Sequence, residues 1–247
     1  MTTQLTADRF DAVLFDLDGV LTDTAAVHAR AWKTMFDDFL RAWATRRGEP
    51  FEPFTIERDY KTYVDGKPRY DGVRSFLLSR GIDLSEGTSD DAPDVETVRG
   101  LGNRKNDLVN RLLDDEGVVR YEGSVRLVEQ LREQGIKLAV VSSSKNCVTV
   151  LKAADIAHLF DAIVDGVVAA ERGLPGKPAP DTFLAAAADV GAAPDRAVVV
   201  EDAISGVQAG HAGGFGLVIG VDREGSPEAL RSNGADLVVS DLEELVQ

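Results

Sequence analysis

Six short runs rich in β-branched residues are the feature of this sequence that most restricts its fold. Most of them end in polar or acidic residues, and they span 12–18, 137–144, 162–167, 197–202, 216–221 and 236–241. Runs this apolar are typical of strands buried on both faces, as in a parallel sheet. Helical stretches separate these runs, at 124–135, 147–156, 179–191, 204–214 and 226–234. The alternation of strand and helix predicts an α/β fold with a doubly wound parallel sheet.

The hundred or so residues between the first two runs have a different pattern. Five apolar residues recur there at helical spacing: Val27, Ala31, Met35, Phe39 and Trp43. They indicate a helix packed over 25–45. Further helical segments are expected around 71–80 and 97–116, and the polar, acidic segment 86–96 is expected to be a solvated loop. We therefore predict a helical cap domain, residues 23–121, inserted into a core domain formed by 1–22 and 122–247.

Composition limits the partners and the compartment. The formal net charge of -15 argues against nucleic acid or an anionic membrane as a partner. No apolar run approaches the roughly 18 residues of a membrane span. The first ten residues lack the basic-then-apolar order of a signal peptide, and Cys147 has no second cysteine to pair with. We expect a cytoplasmic protein, and a monomer.

The first run places two acids one residue apart, Asp16 and Asp18. If the strand continued through both, alternation would put their carboxylates on one face, where like charges raise each other's pKa. Such a pair requires a cation, or a reaction that uses one carboxylate charged and the other protonated.

Three further groups fall at strand ends or just beyond them: Ser142, Lys177 and the pair Glu201-Asp202. Each alone has an ordinary structural interpretation. The serine, or Ser144, could cap a helix, the lysine could lie on the surface, and the acids could begin a helix. Ligands of doubly wound sheets bind beyond the carboxyl ends of the strands, so the four groups together favour a common site.

Phosphoryl transfer would use all of these groups. Asp16, Asp202 and a backbone carbonyl are hard oxygen ligands suited to Mg²⁺. An ionised Asp16 can attack phosphorus, and a protonated Asp18 can donate to the departing oxygen. The Ser142 hydroxyl and the Lys177 ammonium would bind the phosphoryl oxygens.

These residues stand in motifs that resemble those of a known superfamily. DLDGVLTDT, the serine of VVSSSKN, the lysine of GKPAPD and the pair in VEDAISGVQAG look like the four motifs of haloacid dehalogenase (HAD) superfamily phosphotransferases. DTAAVHARAWK, GKPRYDGV, NRKNDLV and SSSKN are most similar to the β-phosphoglucomutase group. The resemblance implies a Rossmann-like core with a helical cap inserted after the first strand.

The resemblance also implies individual roles. Asp16 is the implied nucleophile, Asp18 the general acid and base, and Mg²⁺ would lie on Asp16, the Asp18 carbonyl and Asp202. Glu201 matches a water-mediated metal partner, and Thr24 falls in the hinge. The implied substrate-binding residues are His28, Arg69, Lys105, Ser144, Lys145 and Asn146. Without the resemblance, His28 would be a helix-surface histidine and Arg69 a solvated loop arginine.

Two departures leave the substrate open. The cap carries extra sequence around 41–56 and 86–97, and Gly72 stands where relatives often have a hydroxyl residue. The leading hypothesis is a Mg²⁺-dependent mutase that converts β-glucose 1-phosphate to glucose 6-phosphate through a bisphosphate. The alternative is a phosphatase that hydrolyses a small sugar phosphate. A non-enzymatic phospho-acceptor switch would have no use for Asp18 or for a large cap, and the metal-ligand pattern argues against a dehalogenase.

Overall fold

A computed structural model of the protein describes residues 4–223 and 225–247. The chain separates into two compact units. The core unit combines the N-terminal segment up to Thr24 with Val118–Gln247, and the cap unit is Ala25–Gly117. The cap unit thus starts two residues later and ends four residues earlier than the range 23–121 expected from the sequence. Residues 1–3 of the expected core domain, and of the segment judged for a signal peptide, lie outside the described residues.

The core unit contains the parallel sheet that the sequence predicts. Its strands are β1 Ala12–Phe15, β2 Lys137–Val141, β3 Ala162–Val164, β4 Ala197–Glu201, β5 Leu217–Val221 and β6 Leu237–Val239. Their order in the sheet is β3-β2-β1-β4-β5-β6, with every neighbouring pair parallel. The order reverses at β1, and ligands of such sheets bind beyond the strand ends at this point. The α/β fold class is confirmed.

Helices pack on the sheet. In the core unit they are α4 Glu122–Glu133, α5 Cys147–Ala153, α6 Gly166–Arg172, α7 Asp181–Asp189, α8 Ile204–Ala212 and α9 Pro227–Ser232. Helix α6 was missed in the sequence, because its first residues were assigned to the run 162–167. Asp165 ends that run instead, since its carboxylate accepts from the backbone N–H groups of Val167 and Val168 and so caps α6. Phe183 of α7 and Val207 of α8 are fully buried in the core against the sheet.

The cap unit is built around aromatic side chains. Its α-helices are α1 Ala25–Arg47, α2 Arg69–Ser79 and α3 Val98–Glu116, and a π-helical segment covers Ile56–Val64. The ring centre of Phe36 lies 5.3 Å from that of Trp32, 5.1 Å from that of Phe54 and 4.3 Å from that of Phe76. The expected helices are present, whereas the π-helical segment was not foreseen. No helix in the described part of the chain is long and apolar enough to cross a membrane.

Candidate active site

The sequence prediction of a strand through Asp18 is wrong. Strand β1 ends at Phe15, and Asp16 keeps one further sheet bond, from its N–H to the carbonyl of Val200 at 2.9 Å. The chain then turns at Gly19, which has φ of +84°, a region that favours glycine. A Cβ at Gly19 would collide with the Asp202 carboxylate. The glycine therefore both permits the turn and lets Asp202 lie against it.

Lys177 lies at the centre of the core site. Its side chain is 1% exposed, and its ammonium donates to Asp16 Oδ1 and Glu201 Oε1, each at 2.5 Å, and to the Val141 carbonyl at 3.2 Å. Burial acts to lower the pKa of Lys177, but the two carboxylates raise it above its ordinary value. Lys177 is therefore a fixed ammonium, and the interpretation as a surface lysine is wrong.

Glu201 holds the other side of this ammonium. Burial raises the pKa of Glu201 to about 7, although the Lys177 ammonium acts to lower it. Its Oε2 accepts from the Ala203 N–H at 3.0 Å. Gly206 leaves room for this carboxylate, because a Cβ at that position would collide with it. Both oxygens of Glu201 are thus engaged by protein groups.

Three carboxylates form an acidic cluster at this point. Asp16, Glu201 and Asp202 each offer an oxygen, and the three oxygens lie within 4.8 Å of one another. One lysine does not balance three carboxylates, and hard oxygen donors suit a divalent cation. The residues therefore fit a divalent metal. Because Lys177 and Ala203 occupy the oxygens of Glu201, Asp16 and Asp202 are the better direct ligands.

Asp18 belongs to a different set of contacts. Its Oδ1 accepts a hydrogen bond from Thr24 Oγ1, and Thr24 Oγ1 lies 2.8 Å from Thr22 Oγ1. Both threonines are buried. The hydroxyl groups fix the orientation of Asp18 apart from the acidic cluster. The role of Thr22 was missed, although the segment LTDT directly after DLDGV carries both hydroxyls.

The loop after β2 contributes the serine. Ser142 is buried, and its Oγ accepts from the Ser144 N–H at 3.1 Å. The Oγ of Ser144 accepts from the Asn146 N–H at 3.1 Å. Helix α5 begins at Cys147 with Asn146 as its N-cap, and no side chain caps it. Neither serine is therefore a helix cap. Lys145 is exposed.

In the cap unit, His28 and Lys105 form a pair. The Lys105 ammonium lies 2.8 Å from His28 Nδ1 and 4.9 Å from the ring centre of Trp32. Burial, with the charges of Lys105 and then Arg69, holds the pKa of His28 well below its usual range. His28 is therefore neutral at pH 7 and accepts from Lys105. Gly72 lies against Trp32, and a Cβ there would be 3.3 Å from two indole carbons.

Arg69 is the first residue of α2, and therefore not a loop arginine. It is half-buried, and its Nη1 lies 3.4 Å from the carbonyl of Gly102. Among residues 4–223 and 225–247, no carboxylate forms a salt bridge with Arg69. Burial lowers the pKa of Arg69, whereas the nearby charge of Asp107 acts to raise it without such direct pairing. A partly desolvated guanidinium whose donors are not engaged in a salt bridge is well suited to bind an anion.

An arginine that sequence reasoning missed supports the turn after Asp18. Arg223 donates through Nε to the Gly19 carbonyl at 2.9 Å and through Nη1 to Asp241 at 2.8 Å. Its guanidinium lies 3.7 Å from the ring centre of Tyr121, whose hydroxyl donates to Asp23 at 3.0 Å. Arg223 stands outside every recognised motif, so no pattern in the sequence pointed to it.

Comparison with known proteins identifies the family of this chain. The family model described as haloacid dehalogenase-like hydrolase matches residues 10–214. The β-phosphoglucomutase of Mycobacterium bovis is 52% identical over 97% of this chain and 92% of the relative. That of Bacillus subtilis is 34% identical over 95% of this chain and 91% of the relative. The crystal structure of β-phosphoglucomutase from Clostridium difficile superposes with a TM-score of 0.75 at 27% identity, covering 96% of this chain and 93% of that one. This chain belongs to the haloacid dehalogenase-like hydrolase family.

Proposed function

We propose that this protein is a Mg²⁺-dependent mutase that converts β-glucose 1-phosphate to glucose 6-phosphate through an enzyme-bound 1,6-bisphosphate. The observation that carries the proposal is the position of Asp16, which follows the last residue of β1, pairs with the Lys177 ammonium and has a carboxylate oxygen within 4.8 Å of one of Asp202. The ammonium favours the ionised form of Asp16, and an ionised carboxylate is the form that attacks phosphorus. The relatives named β-phosphoglucomutase support the choice of substrate.

The chemistry consists of two phosphoryl transfers. The cycle starts from Asp16 that has been phosphorylated by the bisphosphate. In the first transfer, Asp18 takes the proton of the free hydroxyl of β-glucose 1-phosphate, whose oxygen bonds to phosphorus while the bond from phosphorus to Asp16 breaks, and the 1,6-bisphosphate forms. In the second, the Asp16 carboxylate attacks the other phosphorus, the bond from that phosphorus to its sugar oxygen breaks, and Asp18 gives its proton to this oxygen, so that glucose 6-phosphate leaves and the aspartyl-phosphate is restored. The Lys177 ammonium and the Ser142 hydroxyl bind the phosphoryl oxygens as their charge changes.

The acidic cluster supports a metal in the same reaction. Asp16, Asp202 and the backbone carbonyl of Asp18 would hold Mg²⁺, with Glu201 acting through water or through Lys177. When bound, the metal would neutralise charge on the phosphoryl oxygens. Removal of one carboxylate from the cluster should therefore lower the affinity for the metal more than it lowers the stability of the fold.

The cap unit supports a mutase over a simple phosphatase. Throughout the reaction, a mutase must hold the phosphate that is not being transferred. Arg69 offers a guanidinium that forms no carboxylate salt bridge within the described part of the chain. We assign the remaining substrate contacts to His28, Lys105 and the loop from Ser144 to Asn146. The implied partner is a small phosphorylated sugar, and we further propose a cytoplasmic monomer.

Product analysis tests the proposal. Purified protein with Mg²⁺, β-glucose 1-phosphate and a trace of the 1,6-bisphosphate should form glucose 6-phosphate over many turnovers, followed by phosphorus NMR. The α anomer is the matched control and should give little product. Release of inorganic phosphate alone would identify the alternative, a phosphatase on the same scaffold. A single phosphorylation without turnover would indicate a phospho-acceptor switch.

A further inference from the structure

The ring of Tyr70 holds the first turn of α2 against α3. It lies 5.1 Å from the guanidinium carbon of Arg69 and 4.2 Å from that of Arg99. Gly102 of α3 makes this packing possible, because a Cβ there would lie 2.6 Å from Tyr70 Cδ1 and 3.3 Å from Arg69 Cγ. Any side chain at Gly102 would push both residues away. The position of the Arg69 side chain therefore depends on where the tyrosine ring lies.

The hydroxyl of Tyr70 is fixed in turn by Asn103. It donates to Asn103 Oδ1 at 2.8 Å, and Asn103 Nδ2 donates to the carbonyls of Ser89 at 3.1 Å and Asp91 at 2.9 Å. The amide thus has its two donors on two carbonyl groups and its acceptor on a hydroxyl. The reverse orientation would set its oxygen against two carbonyl oxygens. Asn103 therefore connects α2 to the acidic loop at 86–97.

The loop at 86–97 is exposed yet held at several points. The Asp91 carboxylate accepts from Thr88 at 2.8 Å and from Thr97 at 2.6 Å. Arg104 of α3 donates to the Pro93 carbonyl at 2.6 Å. These contacts organise the segment that the sequence indicated only as a solvated loop. Its carbonyl groups at Ser89 and Asp91 are consequently in place to receive Asn103.

We propose that the loop at 86–97 positions Arg69 through Asn103 and Tyr70, and that this extra cap sequence thereby tunes binding of the second phosphate. The inference rests on the proposed function, because it concerns the phosphate that Arg69 would hold. Arg69 is joined to the protein by a long hydrogen bond to Gly102 and by the Tyr70 ring. A long side chain ordered before binding loses less conformational entropy when the ligand arrives. Tyr70 and Asn103 are positioning residues, since they act through Arg69.

The test compares a reaction in which one phosphate is held while another is transferred with a reaction that involves a single phosphate. Tyr70→Phe removes only the hydroxyl, and Asn103→Asp replaces the donors that bind the loop by an acceptor. Each should raise the KM for β-glucose 1-phosphate by about three- to tenfold, the range expected for one lost hydrogen bond, with the larger change for Asn103→Asp. Hydrolysis of p-nitrophenyl phosphate, which has a single phosphate, should change by less than about twofold. Tyr63→Phe is the matched control in the same aromatic cluster and should leave both activities unchanged.

A double substitution tests whether the effect passes through Arg69. Added to Arg69→Ala, Tyr70→Phe should have no further effect on KM, because residues that act as a unit are not additive. An unchanged KM in both single variants would overturn the inference. An additive effect in the double variant, or an equal effect of Tyr63→Phe, would also overturn it.

The proposed function is tested separately, before any variants are compared. If the wild-type protein releases only inorganic phosphate, the proposed function is wrong, and the inference that rests on it is wrong as well.

Discussion

The candidate-site residues of the core unit and those of the cap unit carry opposite charge. In the core unit, Asp16, Glu201 and Asp202 form one acidic cluster, and the Lys177 ammonium pairs with Asp16 and Glu201. In the cap unit, Lys105 lies against the neutral ring of His28, and Arg69 lacks a carboxylate salt bridge among the described residues. A surplus of negative charge calls for a cation, and a desolvated guanidinium calls for an anion. Each unit therefore indicates a ligand of the opposite charge.

Asp59 of the cap unit is a buried acid whose charge is neutralised within the protein. Asp59 is 1% exposed, and it accepts from Arg58 at 2.9 Å, from Arg80 at 3.0 Å and from the Thr55 N–H at 2.9 Å. Every charge there has a partner within the protein. We therefore assign Asp59 to stability and the unbalanced core carboxylates to function, and the predictions below test this division.

The largest effect is expected at Asp16. Asp16→Asn should lower turnover by about a thousandfold or more, because the nucleophile is lost, and should abolish the phosphoenzyme. The melting temperature should not fall, because the change removes one of three clustered like charges. Asp11→Asn is the matched control: this exposed acid lies just before β1, where it pairs with Arg196, and its loss should leave turnover unchanged. Activity of Asp16→Asn above about one per cent of wild type would contradict covalent catalysis at this position.

The metal prediction distinguishes the two neighbouring acids. Excess chelator should abolish activity, and Mg²⁺ should restore it. Asp202→Asn should raise the Mg²⁺ concentration for half-maximal activity by about tenfold or more. Glu201→Gln should lower turnover but change this concentration less, because Lys177 and Ala203 engage the oxygens of Glu201. If Asp202→Asn and Glu201→Gln raise the Mg²⁺ concentration for half-maximal activity equally, the direct ligands are wrongly assigned.

Asp59→Asn should affect stability and leave the chemistry intact. Loss of the buried charge removes the ion pairs of Arg80 and Arg58 with Asp59 and leaves Arg80 only its more exposed partner Glu52. The free energy of unfolding should fall by about 2–4 kcal/mol at pH 7. Burial acts to raise the pKa of Asp59, but the bonds from Arg58 and Thr55 lower it to about 2. This stabilisation is therefore complete above the ordinary pKa of 3.8 and is lost as the pH falls toward 2. Urea unfolding of wild type and Asp59→Asn above and below pH 3.8 measures the difference in their free energies of unfolding. A difference that does not change with pH would refute the assignment.

The smallest effect is expected at Arg223. Arg223→Met removes the donor to the Gly19 carbonyl and should lower activity by about three- to tenfold. Since the change acts on the core unit, β-glucose 1-phosphate and p-nitrophenyl phosphate should be affected equally. Arg126→Met is the control, because Arg126 is an exposed arginine that pairs with Glu243 in the same C-terminal region. If Arg223→Met lowered activity only toward β-glucose 1-phosphate, the substitution would act on the cap unit, and the prediction would be wrong.

The sequence predicted the elements whose apolar pattern is strong and missed those set by local hydrogen bonds. All six strands lie within predicted runs, because buried parallel strands are continuous apolar segments. The end of β1 was misjudged, since Leu17 continues the apolar pattern while the turn at Gly19 stops the pairing. Helix α6 was missed because the cap at Asp165 interrupts a run that otherwise looks like a strand.

The candidate site was predictable to the extent that its residues end strands or stand in motifs. Asp16, Ser142, Lys177, Glu201 and Asp202 were all named from their positions. The contacts of Arg223 and Tyr70 were not, because they join segments far apart in the chain and depend on packing. No pattern in the sequence indicated that Lys177 pairs with Glu201 or that Thr24 donates to Asp18.

The central claim is that the core unit transfers phosphate and the cap unit holds the second phosphate. Its most direct test is the ratio of hydrolysis to isomerisation in Arg69→Ala. Both products are measured from β-glucose 1-phosphate with a trace of the 1,6-bisphosphate. We predict that mutase flux falls by roughly tenfold to a thousandfold, that release of inorganic phosphate falls far less, and that the ratio therefore rises. Arg41→Ala, which removes an exposed arginine from the same unit, should leave the ratio at the wild-type value. An unchanged ratio in Arg69→Ala would contradict the account.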